Sequence, residues 1–436
     1  VRAVFSSWSD AGAISHSVMV AASAVTITGN FTTQYQLTTA PSPANGGTVT
    51  PATGTFFDTG TVVNLTATAN AGFAFTNWTG PVANANAAAT TVTMDAAKSV
   101  TANFVALQAV TVNVPAGVAF TLNSVNYTGS QTVNLAPGTY TLSTTTPQTL
   151  GAGVRAVFSS WSDAGAISHS VMVAASAVTI TGNFTTQYQL TTAASPSIGG
   201  SVVPATGTFF DSGTVVNLTT TANAGFVFSS WTGVVANSAT AATTVTMDAA
   251  KSVTANFAAQ RVFSGPTATG SGVATVVMTT VNGGDNCGFT SAAWVPVSVV
   301  TQAPPVGLMF PHGLFDFRAE NCVPGSTITL TVTYPQPLAS GTTYWKFGPT
   351  PSSISALWYG VTSVINGNTL TFSITDGGLG DDDRSADGTI IDQGGPGVFA
   401  APVPTPTLNE WALALLMLGV LGYGLYLVNR RRVSAR

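Results

Sequence analysis

Along most of this chain apolar and polar side chains alternate one for one. Val63, Leu65, Ala67 and Ala69 are separated by Asn64, Thr66 and Thr68, and Val100, Ala102 and Phe104 by Thr101 and Asn103. Successive side chains of a strand point to opposite faces, so this spacing predicts strands with one face buried. Phe73 and Phe75 continue the pattern, and Asn45-Gly46-Gly47 and Asn70-Ala71-Gly72 supply turn residues between runs. One long stretch lacks the alternation altogether. From Trp411 to Val428 there is no charged residue, and apolar residues follow one another without a polar partner. At about 1.5 Å per residue this stretch makes a helix about 27 Å long, enough to cross a hydrocarbon core of roughly 30 Å with slight thinning. The expected fold class is therefore all-β: tandem small β-repeat modules and a larger β-sandwich-like domain, then one C-terminal transmembrane helix, 411–428.

The strands belong to a long repeat. Val1 to His16 recurs letter for letter from Val154 to His169, and Phe31 to Phe104 recurs with few changes as Phe184 to Phe257, a period of 153 residues. Each period holds two unlike modules. The expected borders are 1–34 for the end of a first module, 35–106 and 188–258 for one kind, and 107–187 for the other. Subtracting one period from residue 107 places the start of an earlier copy about 46 residues before Val1, so a longer chain with an export signal upstream is expected. Tyr35-Gln-Leu-Thr, Gly72-Phe-Ala-Phe-Thr-Asn-Trp-Thr-Gly80 and the run Val92 to Phe104 resemble the divergent internalin-B-type bacterial repeat. That family is marked by Gly-(Phe/Tyr)-x-Phe-x-x-Trp and a terminal Val-Thr-Ala-Asn-Phe. The resemblance implies an extracellular spacer or binding module without chemistry of its own. Phe158-Ser-Ser-Trp-Ser-Asp163 and Val178 to Phe184 make 107–187 a related β module. Trp78, Trp161 and Trp231 are expected as core anchors, with sugar stacking as the alternative.

From about Arg261 the composition shifts: prolines and aromatics rise, and both cysteines appear. Val273 to Met278, Thr327 to Tyr334 and Thr369 to Thr375 read as strands of one larger β domain, 261–397. Pro311-His-Gly-Leu-Phe-Asp-Phe317, Cys322-x-Pro-Gly-Ser, Tyr344-Trp-Lys-Phe-Gly-Pro-Thr-Pro351 and Asp376-Gly-Gly-Leu-Gly-Asp-Asp-Asp383 together resemble the choice-of-anchor U domain, a bacterial module found just before C-terminal anchors. Pro402, Pro404 and Pro406 then mark an extended spacer, 398–407.

The tail, 408–436, has three parts. Pro406, Thr407, Leu408, Glu410 and Trp411 form a short motif, the apolar run follows, and Arg430, Arg431 and Arg432 close it. A basic cluster beside a span holds that end in the cytoplasm, so the preceding domains are expected outside. Motif, helix and basic end resemble the IPTL-CTERM sorting signal of Gram-negative bacteria, with Thr405 where that class has Ile. The resemblance implies delivery to the cell envelope and a membrane enzyme that reads the motif.

Composition narrows the chemistry. Lys, Arg, Asp and Glu are 6% of the chain and the formal charge is −4, so there is no basic footprint for nucleic acid. Cys287 and Cys322, the only cysteines, lie in a domain expected to fold in an oxidising space, and are expected to pair. Asp376 to Asp392 holds six aspartates, and Asp383-x-Ser385-x-Asp387-Gly388-x-Ile390 fits the first positions of an EF-hand-type loop, although its twelfth position is Gly394. Asp381, Asp383, Asp387 and Asp392 are expected to converge on one ion, with calcium favoured by an all-oxygen ligand set. No other cofactor is expected. Asp163 and His169, with their copies Asp10 and His16, lie near serines but lack a nucleophile elbow or a metal-helix spacing. The expected function is a non-catalytic, exported surface stalk, adhesion-related, sorted through its C-terminal signal and meeting an extracellular ligand. The alternatives are the stalk of a secreted enzyme whose catalytic domain lies upstream, or carbohydrate-binding repeats.

Overall fold

The structure, a computed structural model, describes residues 1–400 and 408–433. Among the described residues it is all-β with one α-helix, at the C-terminal end. The chain forms two compact units, one built on Val1–Leu190, Gly207–Val215 and Thr246–Lys251, the other on Thr191–Thr206, Val216–Val245 and the chain from Ser252 onward.

In the first unit, the segment Tyr35 to Ala106 builds a core between two sheets. Strands Gly47–Thr50, Val62–Ala69 and Ala89–Thr93 form an antiparallel trio. Strands Gly29–Ser42, Lys98–Ala106 and Phe73–Thr79 form the other sheet, which mixes parallel and antiparallel pairs. The alternating residues Val63, Leu65 and Ala67 of one sheet meet Leu37, Trp78, Val100, Ala102 and Phe104 of the other. Gly46 and Gly47 pass under the Phe104 ring, and a Cβ at Gly47 would collide with it. In the second unit Gly199 and Gly200 lie in the same way under Phe257.

The related module has its own core of Val110, Val112, Phe120, Leu142, Ala156, Trp161, Val171 and Ile180. Strand Gln108–Asn113 follows Lys98–Ala106 after Leu107 alone. The expected module borders at 34/35 and 187/188 fall inside unbroken strands, Gly29–Ser42 and Val178–Ser195. The first half of Gly29–Ser42 pairs with Arg2–Trp8, while its second half pairs with Lys98–Ala106. One strand thus serves two modules.

In the second unit, residues 262–399 form a sandwich of two sheets. Strands Val262–Pro266, Val273–Val281, Thr327–Thr333, Thr369–Thr375 and Val364–Asn366 lie in one sheet. Strands Gly288–Val295, Leu314–Glu320, Ile390–Phe399, Thr343–Thr350 and Ser353–Val361 lie in the other, in that order. Val276, Ile328, Leu330, Leu370 and Phe372 of the first sheet pack on Phe289, Phe315, Phe317 and Tyr344 of the second. The outer face of the second sheet carries Leu308, Phe310, Leu314 and Trp358 as a smaller core. Its last strand runs through Val398 and Phe399, which pair with Met309 and Leu308, so the start of the expected spacer is sheet instead. Residues 401–407, with Pro402, Pro404, Pro406 and Thr407, lie outside the described residues.

The helix spans Leu408–Val433, longer than the expected 411–428 at both ends. At its C-terminal end Arg430 and Arg431 favour the extension, because basic side chains suit a helix C-terminus. Within it Trp411–Arg431 is apolar enough, with a mean hydropathy of 2.0, to cross a membrane, and none of its most apolar window is buried against the chain.

Candidate functional site

The Gly-Phe-x-Phe-x-x-Trp segment places an aromatic three residues before a tryptophan. In a regular strand these two would face opposite ways. Here the ladder slips between Phe75 and Asn77: Phe75 pairs with Phe104, Asn77 with Asn103 and Trp78 with Ala102. Thr76 is the extra residue of a β-bulge, and it returns Trp78 to the face of Phe75. The same slip occurs between Phe158 and Ser160 and between Phe228 and Ser230. The Phe75 ring then lies 5.8 Å from Trp78, tilted, and 6.0 Å from Phe104, edge to face. Trp78, Trp161 and Trp231 are 3%, 2% and 4% exposed. Their indole N–H groups donate to the carbonyls of Ala87, Ile167 and Thr240. These rings hold the core and offer no face to a sugar, which removes them as carbohydrate platforms.

His169 is a loop staple. Its Nε2 lies 2.8 Å from Asp163 Oδ2 and its Nδ1 2.8 Å from the Ala166 carbonyl. With both ring nitrogens so occupied, neither serves a neighbouring serine as a base.

The acidic stretch is organised by backbone amides. Asp376 Oδ2 accepts from Gly325 N and Gly388 N at 2.7 and 2.9 Å. Asp381 takes Gly377 N on one oxygen and Ile391 N on the other, at 2.8 and 3.1 Å. Asp383 and Asp387 each close a two-residue turn, accepting from Ser385 N and Thr389 N. Asp392 stands apart on the last strand, fully buried, with Oδ1 2.7 Å from Lys346 Nζ. Asp381, Asp383, Asp387 and Asp392 therefore do not converge, and the expected calcium set is not formed. Among the described residues no group of three or more His, Cys, Asp or Glu is placed to hold a metal ion. The repulsion that favoured a cation is relieved by N–H donors and by one lysine.

That lysine was not singled out from the sequence. Lys346 is fully buried between the two sheets, donates to the Gly380 carbonyl, and has Asp382 Oδ1 at 3.7 Å as well as Asp392. Burial pushes Asp382 up to about 7 and Asp392 up to about 6, against the pull of Lys346 on both. Burial also pushes Asp381 up to about 6, although two backbone N–H groups hold its charge. Tyr344 and Tyr359, raised by burial too, keep hydroxyls without a hydrogen-bond partner nearby. The signal was present: Tyr344, Lys346 and Gly348 share one parity along a half-buried strand, as do Ile390, Asp392 and Gly394.

Cys287 and Cys322 are joined in a disulfide with Cα atoms 4.2 Å apart. It ties the start of Gly288–Val295 to the end of Leu314–Glu320. Closing a loop with a sequence separation of 35 residues contributes about 3–4 kcal/mol in the chain-entropy model.

Of the tail motif, Pro406 and Thr407 lie outside the described residues, as do the side chains of Leu408, Glu410 and Arg432. Leu408, Glu410 and Trp411 belong to the first turns of the helix, not to a segment before it. Trp411 is exposed, and Arg430 lies over the Tyr426 ring at 5.9 Å.

No curated protein and no solved structure matches the chain. Its likeness to known proteins lies in the two copies of the repeat: residues 37–108 and 190–261 each match the family model described as the divergent InlB B-repeat domain.

Proposed function

We propose that this chain is a non-catalytic surface-display protein of a Gram-negative envelope. The supporting observation is the pairing of tandem divergent InlB-type repeats with one exposed apolar helix that ends in arginines. The repeats act as an adhesion-related stalk, and residues 261–397 act as the anchor-adjacent domain. Arg430, Arg431 and Arg432 hold the helix's C-terminal end in the cytoplasm. A membrane enzyme reads Pro406, Thr407, Leu408, Glu410 and Trp411 and releases the chain from its helix.

The test is expression of the full chain, behind an export signal, in a Gram-negative host. Protease added to intact cells is expected to remove residues 1–397. Replacing Arg430, Arg431 and Arg432 together by Glu is expected to abolish surface exposure. Unchanged exposure in that variant overturns the orientation. Peptides spanning Trp411 to Val428 in mature surface protein overturn release and leave a permanent anchor.

A further inference from the structure

A lysine and an aspartate facing each other in a dry core stand close to a second reaction, besides pairing as ions. Lys346 Nζ and Asp392 Oδ1 are 2.7 Å apart, both side chains are 0% exposed, and apart from Lys346 no donor reaches either Asp392 oxygen. The two residues sit on neighbouring antiparallel strands: Lys346 pairs with Gly394, and Asp392 lies two residues before it on the same face. Phe372 stacks on Tyr344 at 3.9 Å, and Phe317 is the partner of Asp392 on its other side. A third group completes the set. Asp382 Oδ1 lies 3.7 Å from Lys346 Nζ and has no hydrogen-bond donor of its own. It occupies the space left by Gly348, where a Cβ would collide with its oxygen.

We propose that Lys346 and Asp392 condense, without a cofactor, into an intramolecular amide that welds the last strand of the sandwich to its neighbour, with Asp382 relaying the proton. An ion pair taken out of water loses most of its solvation, so passing one proton from Nζ to Asp392, which leaves a neutral amine beside a neutral acid, costs less here than it does in water. The nitrogen lone pair attacks Cγ of Asp392 and the C–N bond forms. Asp382 takes the surplus proton from nitrogen and gives it to a hydroxyl on Cγ, the C–O bond breaks, and water departs. One ammonium and one carboxylate become one amide and one water. No proton is gained or lost overall, and no oxidant or activated donor is needed. Holding Nζ 2.7 Å from an oxygen of the carboxyl group it attacks replaces a bimolecular encounter. Asp382 is suited to the relay because burial brings its titration near neutrality. Its side chain is 22% exposed, which gives the water a way out. The inference rests on the sandwich alone and holds whether or not the chain is displayed on a surface.

Intact-mass measurement of the purified full chain, reduced and denatured, tests it directly. The expected mass is one water (about 18 Da) below that required by the sequence. Digestion is expected to yield one branched peptide joining Lys346 to Asp392. The full sequence mass, in protein that formed its Cys287–Cys322 disulfide before reduction, overturns the proposal. Lys346→Arg and Asp392→Ala are each expected to restore the lost water. Water loss retained in either places the bond elsewhere and also overturns it. Asp382→Asn, with its disulfide formed, is expected to keep the full sequence mass, and complete condensation in that variant overturns the relay role. The parent mass decides the bond even if every variant fails to fold.

Discussion

At the scale of single residues, Asp382 controls a pH dependence whose sign follows from its burial. In the unfolded chain its carboxyl titrates at the ordinary value near 4, and in the fold at about 7. Between those values the folded protein binds more protons, so the stability it contributes is full below pH 4 and lost as pH rises through 7. Asp381, pushed up to about 6, acts with the same sign over a shorter window. The melting temperature of Asp382→Asn is therefore expected to fall less between pH 4 and 7 than that of the parent. Equal slopes would show that Asp382 is ionised in the fold across the range. The aspartates of this region were visible from the start, but their roles were not. Which backbone N–H groups reach Asp376 and Asp381 depends on how the chain from 376 to 389 closes, and spacing alone does not carry that. The inward parity of Lys346 and Asp392 was readable, yet six acids in a short stretch drew the interpretation towards a cation.

At the scale of elements, the bulge between Phe75 and Trp78 makes an unusual prediction about length. Removing Thr76 leaves Asn77 opposite Asn103 and Trp78 opposite Ala102 in a regular ladder, so the indole stays in the core. The loss is chiefly the Thr76 Oγ1 bond to the Asn103 carbonyl, at 3.0 Å. Such a bond is worth about 0.5–1.5 kcal/mol. Inserting one alanine after Thr76 instead turns Trp78 outward, which is expected to cost about 3–5 kcal/mol, as deleting a buried tryptophan does. Denaturant unfolding of the two variants compares them. Similar losses in both would mean that the slip does not set the direction of Trp78. The strands themselves were legible, because an alternation of period two is a local property. The bulge was not, since Phe and Trp three apart look like residues of opposite faces until their partners are known. The helix was legible as a span but not in its length, because polar residues beyond the apolar run also favour helix.

At the scale of the molecule, the strand Val178–Ser195 joins two modules through hydrogen bonds on both sides of the expected border. Its residues 182–188 pair with Val154–Trp161, and Gln187 to Leu190 pair with Thr208–Asp211. Destabilising the related module is therefore expected to loosen the neighbouring pairing. In Trp161→Ala, amide hydrogen exchange should quicken at Thr208–Asp211 as well as at Val154–Trp161. Acceleration confined to residues 107–187 would show that the modules open independently. The period of 153 residues was legible because letters repeat, whereas the sharing of a strand was not, because alternation runs through the border without a mark.

The shared strand also limits how such an array changes in length. A crossover between copies at Leu107, between one strand and the next, leaves every hydrogen-bonded ladder whole. Gain or loss of one module alone, cut at 34/35 or 187/188, would divide a strand between the two modules it serves. Growth and loss are then expected in whole two-module steps, and related chains should differ in array length by multiples of one period.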